Sequence, residues 1–500
     1  LDFFLSLDIG TTSVKAALVG ADGEIPAIAV REYTLYTPAE NIVELEPEIY
    51  WRRCVEGIKE VLDKSGVAAG QIKSVGVCSQ GETLICLDEN GGALRKAIVW
   101  MDNRSTKEAG EIKAALTTEN NTGQLDVAAT WPVTKILWLK KNEPETYRRV
   151  HKFVLVEDYI LYRLTGLFKG EYSLYTSSFM LDIINKRWWT EILDYVGVAA
   201  GRLVELCESG EVIGEVQPAV CKETGLAEGM KVVTGAMDQT AAMIGAGNIK
   251  SGIVTETTGA ALAVCGTTGA FAAKDAKRTM AVQYHAIADK YILIGWCPTG
   301  GMAFKWLRDT LFGAEKGRAA KDGADVYDAM TALAAEIPPG SRGLIFLPYL
   351  AGPGTGNISA DARGVFYGLE LHHNRADFAR AVMESVAFVL KQYVVEMGRL
   401  GLECREIRSL GGGSKSRLWN RIKADVLGRP VTTMKCAEAA ALGVAILQAA
   451  AMGTFDSIEQ AVKSMVRTES VVEPVEENVR AYSGIFEKFC EINNRCFGPA

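Results

Sequence analysis

Histidine is scarce in this chain of 500 residues: His151, His285, His372 and His373 are the only four, scattered through it. That scarcity excludes a metal centre built on clustered imidazoles. The eleven cysteines include no CxxC pair, and Cys490 and Cys496, the two nearest in sequence, have neither metal-site spacing nor histidines beside them. A disulfide or zinc framework is therefore excluded, and a reducing cytoplasm is the expected compartment. No apolar run reaches the roughly 18 residues that span a bilayer. The longest candidate, residues 439–452, is alanine-rich, contains Gly443, and suits a helix packed closely inside a domain. No signal peptide is visible after Leu1, so no membrane partner is expected. There is also no long Lys/Arg run, and the formal charge is -7. A broad nucleic-acid surface needs clustered cations and is excluded, whereas a small anionic ligand remains compatible.

What the chain has is core-forming material, 48% hydrophobic residues against 23% charged, enough for two or three packed domains. Residues 5–15, LSLDIGTTSVK, alternate apolar and polar positions, reverse at Gly10 and resume as an apolar strand, which predicts a hairpin. At its tip the amides and hydroxyls of Thr11 and Thr12 can donate to phosphate oxygens. Lys15 adds positive charge, and Asp8 can hold hydrated magnesium. The same residues also fit an ordinary edge hairpin. Residues 252–265, GIVTETTGAALAVC, repeat the pattern, so either two related domains face each other across a cleft, each offering a hydroxyl-rich hairpin, or the match is chance.

Between the hairpins an α/β rhythm runs through a helix at 48–63 and a strand at 72–77, followed by Ser79-Gln80-Gly81-Glu82-Thr83 where a ligand cleft is expected. The strand from Ala97 ends in Trp100-Met101-Asp102-Asn103-Arg104. Its aromatic ring and flanking charges suit polyhydroxyl recognition, although Asp102 and Arg104 equally suit an ion pair fixing a loop. Residues 105–230 read as mostly helical core, including Lys135 to Leu139. Asp238 follows a strand and opens a small-residue helix, the place for a helix cap or, given the phosphate hairpin, for a base aimed into a cleft. A hinge is expected at 245–252, which divides the chain into residues 1–248 and 249–500. In the second half, Gly411-Gly412-Gly413 joins a strand to a helix at 417–427 and allows a ligand close approach to the backbone, and the last 50 residues read as helical packing.

In their order along the chain, DIGTTSVK at Asp8, IVWMDNR at Ile98, PVTKILW at Pro132, MDQTAAMIGAG at Met237, TETTGA at Thr255, TGGMAFKWLRD at Thr299 and GGGSKSRLWNRIKADVLGRPV at Gly411 resemble the FGGY carbohydrate kinases. A C-terminal signature at 364–384 belongs to the same resemblance. The resemblance implies an α/β architecture of two ribonuclease-H-like, actin-like ATPase domains facing each other across a cleft, a sugar-binding one at 1–248 and a nucleotide-binding one at 249–500. It implies ATP and Mg2+ as cofactors and a small-molecule sugar or polyol as partner; a homodimer is compatible with it. Asp238 would be the general base, Asp8 would position magnesium, and Thr12 and Thr258, the latter with Gly259, would contact phosphates, assisted by Lys15. Gly301, Gly412, Gly413 and Ser416 would line the nucleotide site, and Glu82, Trp100, Asp238 and Gln239 the sugar site.

On substrate the texture is similar to xylulokinases, but the loop is not. Gln80-Gly81-Glu82-Thr83 is similar to the Gln-Arg-Glu-Thr of glycerol kinases with Gly81 in place of the arginine, which removes a hydroxyl ligand and leaves room. The expected acceptor is a ketopentose such as xylulose or a related ketose or polyol. Glycerol or aldonate kinase activity, a non-catalytic sugar-binding regulator, and an actin- or chaperone-like ATPase are the alternatives.

Overall fold

In the computed structural model, which describes residues 1–116, 121–269, 277–322, 325–356 and 358–498, the chain forms two compact units that are not contiguous in sequence. The first comprises Leu1–Ile249, Val282–Tyr291 and Glu438–Arg467; the second comprises Lys250–Ala281, Ile292–Ala437 and Thr468–Ala500.

The first unit is built on a six-stranded sheet. Its strands are β1 (Phe3–Ile9), β2 (Ser13–Gly20), β3 (Ala27–Glu32), β4 (Ile72–Ser79), β5 (Val212–Glu215) and β6 (Lys231–Met237), in the order β5-β6-β4-β1-β2-β3. β1 and β2 form the expected hairpin, with Asp8 opposite Lys15. β1 runs parallel to β4, and β4 parallel to β6. Phe4, Leu5, Leu7 and Ile9 are fully buried, as a central strand covered on both faces requires.

The second unit repeats this plan with β7 (Ile253–Thr258), β8 (Leu262–Thr268), β9 (Tyr291–Cys297), β10 (Glu406–Leu410), β11 (Val431–Met434) and β12 (Thr468–Val472), in the order β9-β8-β7-β10-β11-β12. Again the first two strands form an antiparallel hairpin and the first runs parallel to the fourth, β7 beside β10, with β10 parallel to β11 in turn. The similarity read between residues 5–15 and 252–265 thus corresponds to equivalent places in two sheets.

Two features differ from the expectations. Residues 438–467 lie in the second half of the sequence yet pack in the first unit. Helix Ala439–Ala451 crosses helix Asp238–Gly245 so closely that a methyl on Gly245 would lie 1.8 Å from the Ala439 carbonyl oxygen, and one on Gly443 1.9 Å from that of Ala241. Gln448, on the same helix, accepts from the Ser74 hydroxyl at 2.8 Å and donates to the Leu5 carbonyl at 3.2 Å, fastening it to β4 and β1. The last 50 residues are also not all helical, because the β-branched run Thr468–Val472 pairs antiparallel with β11 at the edge of the sheet. No helix of the described residues is long and apolar enough to cross a membrane.

Candidate active site

In the first unit the candidate residues gather at the carboxyl ends of β1, β4 and β6, where side chains leaving parallel strands converge. β6 ends at Met237, and Asp238 opens the next helix. Gly235 is required two residues earlier, since a methyl there would lie 1.8 Å from the Val77 carbonyl oxygen. The Asp238 carboxylate accepts the Gln239 amide at 2.6 Å. Burial, then the nearby Asp8, raises its pKa to about 7 despite that bond, and Glu82 adds to the rise. Asp8 is itself shifted upward by burial, against the pull of Lys15.

Lys15 pairs with Glu438 at 2.6 Å, a partner 423 residues away that only the return of the 438–467 segment supplies. Thr12 is exposed at the hairpin tip. Thr11 Oγ1 accepts the Trp100 indole N–H at 3.0 Å, joining the phosphate hairpin to the aromatic residue of the sugar loop. Asp102 and Arg104 resolve as the ion pair: the guanidinium holds the buried carboxylate through two nitrogens at 2.8 and 2.7 Å, and that carboxylate also accepts the Val43 amide. They fix the loop that carries Trp100.

Glu82 has a φ of 58°, a left-handed backbone that a non-glycine residue adopts only at a cost. Burial raises its carboxyl pKa, opposed by a hydrogen bond from Ser177 and by the charge of Lys135. The room expected from a glycine at position 81 is limited, because a methyl on Gly81 would already meet Ser177 Oγ at 3.0 Å and Met237 Sδ at 3.5 Å. Lys135, read in the sequence as core, is fully buried and donates to the carbonyls of Glu82 and Val99. Its signal was the one cation amid the apolar run PVTKILW.

In the second unit the hairpin β7–β8 presents Thr258 and Gly259. Thr258 is buried, and its hydroxyl faces inward: Oγ1 donates to Glu256 at 2.6 Å and accepts from Lys423 at 3.1 Å. The Gly259 carbonyl accepts the Gly301 amide at 2.7 Å, joining the hairpin to the start of helix Gly301–Leu311. A methyl on Gly301 would lie 2.6 Å from the Gly259 oxygen and one on Gly413 2.6 Å from Thr258 Cβ, while Gly412 faces open space and Gly411 has a φ of 74°. Ser416 caps helix Arg417–Leu427 by accepting the Trp419 amide at 3.2 Å. Gly301 and Gly413 thus let their segments pack directly against the β7–β8 hairpin, and Gly412 is the one of the three with open space beside it.

Comparison with known proteins agrees with these features. Residues 3–245 match the N-terminal domain of the FGGY family of carbohydrate kinases, and residues 261–452 its C-terminal domain. A xylulose kinase of Staphylococcus epidermidis is 30% identical over 97% of this chain and 95% of its own length. A gluconokinase of Bacillus subtilis is 28% identical over 98% and 95%. The crystal structure of gluconate kinase from Lactobacillus acidophilus superposes with a TM-score of 0.90 at 26% identity, covering 99% of this chain and 98% of that one. The two units are the two α/β domains of the actin-like, ribonuclease-H-like ATPase fold. This chain belongs to the FGGY family of carbohydrate kinases, enzymes that phosphorylate sugars at the expense of ATP.

Proposed function

We propose that the enzyme transfers the γ-phosphoryl group of ATP to a hydroxyl of a neutral ketose of the xylulose class, with Asp238 as general base. The observation that carries this reading is the Asp238 carboxyl, held at the start of its helix and shifted to about 7, where a base is effective near neutral pH. It accepts the proton of the attacking hydroxyl as the new O–P bond forms and the bond to the departing ADP breaks. Gly81, Glu82, Trp100 and Gln239 orient the sugar: the indole gives an apolar face, and the polar groups bond hydroxyls.

Thr11, Thr12 and Lys15 meet phosphate oxygens at the first hairpin. The glycine cradle of Gly259, Gly301, Gly412 and Gly413 holds the nucleotide, with Thr258 and Ser416 shaping it from beneath. Asp8 fits a hydrated Mg2+, since its part-buried carboxyl, raised in pKa by desolvation, has as its cation among the described residues the Lys15 already paired with Glu438. When bound, the ion supplies charge neutralisation to the phosphates.

Ketose is preferred to aldonate on electrostatic grounds. Asp8, Glu82 and Asp238 are part-buried and have raised pKa values chiefly through loss of solvation, and Asp8 and Glu82 both raise that of Asp238. A substrate carboxylate placed among them would add a fourth acid, and Lys135 has its ammonium turned to main-chain carbonyls. The test is a coupled ADP-release screen over ketopentoses, ketohexoses, polyols and aldonates. Xylulose or a similar ketose is expected to give the highest kcat/KM. A highest value for gluconate or glycerol overturns the substrate assignment, and no stimulation by any sugar favours a non-catalytic regulator.

A further inference from the structure

Lys135 stands on helix Pro132–Asn142 among Val133, Ile136 and Leu139, and like them is fully buried. An ammonium so placed is costly unless its hydrogens are taken up. They are taken up by main-chain oxygens from two different loops, Glu82 at 3.1 Å and Val99 at 3.0 Å.

Those loops separate from a short ladder. Leu84 and Ile98 exchange two backbone hydrogen bonds, each of 2.9 Å. One step further, the Trp100 amide donates to Thr83 Oγ1 at 3.1 Å. At the next step no direct bond joins the strands; Glu82 has turned into the left-handed region, and the Lys135 ammonium spans the gap. Thr130, just before the same helix, donates to the Trp100 carbonyl at 2.7 Å. The helix therefore grips both loops from below, at the point where Glu82 and Trp100 leave them.

We propose that Lys135 is a positioning residue for sugar recognition, its ammonium tying the Glu82 loop to the Trp100 turn and so setting the spacing of the sugar site. The inference rests on the reading that Glu82 and Trp100 bind the sugar. A neutral filler of similar length would preserve the packing of the helix but would release the Glu82 carbonyl and its strained backbone. The charged groups facing Lys135 are Glu82 and Asp102, which favour its ammonium form, and Arg104, which opposes it. Burial nonetheless lowers its pKa to about 7, so near neutral pH ammonium and amine coexist, and either form carries the two hydrogens that the two carbonyls accept.

The test is steady-state kinetics on Lys135→Met, Lys135→Gln and Glu82→Gln, with the sugar that gives the highest kcat/KM in the screen. Lys135→Met is expected to raise the sugar KM by about ten-fold or more while changing the ATP KM less than about two-fold, with a smaller fall in kcat. Lys135→Gln keeps an amide donor and should fall between it and the parent. A purely structural role would instead lower the melting temperature and the active fraction at unchanged KM. If Lys135→Met does not fold, Lys135→Gln alone decides. An unchanged sugar KM in the lysine variants, with a raised one in Glu82→Gln, overturns the positioning role. An unchanged sugar KM in Glu82→Gln overturns the sugar-site reading and this inference with it.

Discussion

At the first threonine hairpin Lys15 is 33% exposed and pairs with Glu438 at 2.6 Å; at the second, Lys423 pairs with Glu256 at 2.5 Å and neither side chain reaches solvent. The two hairpins occupy equivalent places in their sheets, and each has one lysine–glutamate pair beside its threonines. Their energetics differ. A half-exposed pair is worth at most about 1 kcal/mol, so Lys15 can exchange Glu438 for a phosphate at little cost. The buried pair is further bonded to Thr258 and Ser409, and Lys423 cannot leave it without stranding Glu256. The first hairpin therefore offers an exchangeable cation and the exposed Thr12 hydroxyl, whereas the Thr258 hydroxyl of the second is held inside a braced buried cluster.

The sharpest break of this comparison is at Asp238 in the first unit. Asp238→Asn is expected to lower kcat by about 10²- to 10⁴-fold while ADP affinity, measured by calorimetry, stays within about two-fold of the parent. Loss of ADP binding together with kcat would contradict the division of labour between the units. In the parent, kcat/KM should fall below about pH 7, as the carboxyl protonates and ceases to act as a base. The same shift has a stability consequence of opposite sense. Because the folded pKa lies above the ordinary aspartate value of 3.8, the folded state favours the protonated form; the stabilisation is present below the unfolded pKa and is lost as pH rises through about 7. Asp238→Asn should accordingly melt higher than the parent at pH 8 and show little advantage at pH 3.

A smaller effect separates the two lysines. Lys423→Met leaves a buried glutamate unpaired and should cost about 3–5 kcal/mol of stability, seen as a lowered denaturant midpoint. Adding Glu256→Gln should recover part of it. Lys15→Met should change stability by less than about 1 kcal/mol but reduce kcat/KM for ATP. Equal stability losses at the two sites would show that the hairpins are not braced differently.

The sequence made the hairpins, the Asp238 helix start and the glycine turn between β10 and helix Arg417–Leu427 legible because each is a local pattern: alternation, a turn glycine, a carboxylate after an apolar run. What it hid depends on distance. Glu438 reaches Lys15 across 423 residues and Lys423 reaches Glu256 across 167, and no periodicity announces either meeting. For the same reason the sequence does not show that the Thr258 hydroxyl, expected from the resemblance to contact phosphate, is bonded to Glu256 and Lys423. Lys135 was hidden differently: within PVTKILW it reads simply as part of a core helix face, and only the two carbonyls beneath the helix show what a buried ammonium does there.

Ser416 gives the smallest effect and decides what kind of surface the second unit presents. As a cap, its hydroxyl satisfies the Trp419 amide at the start of helix Arg417–Leu427, and Ser416→Ala should cost about 1 kcal/mol of stability with the ATP KM nearly unchanged. As a nucleotide ligand, the same substitution should raise the ATP KM several-fold at little cost in stability. The inward bond favours the first outcome, which would leave the second unit holding its nucleotide through glycine backbone, with its hydroxyls spent on holding that backbone still.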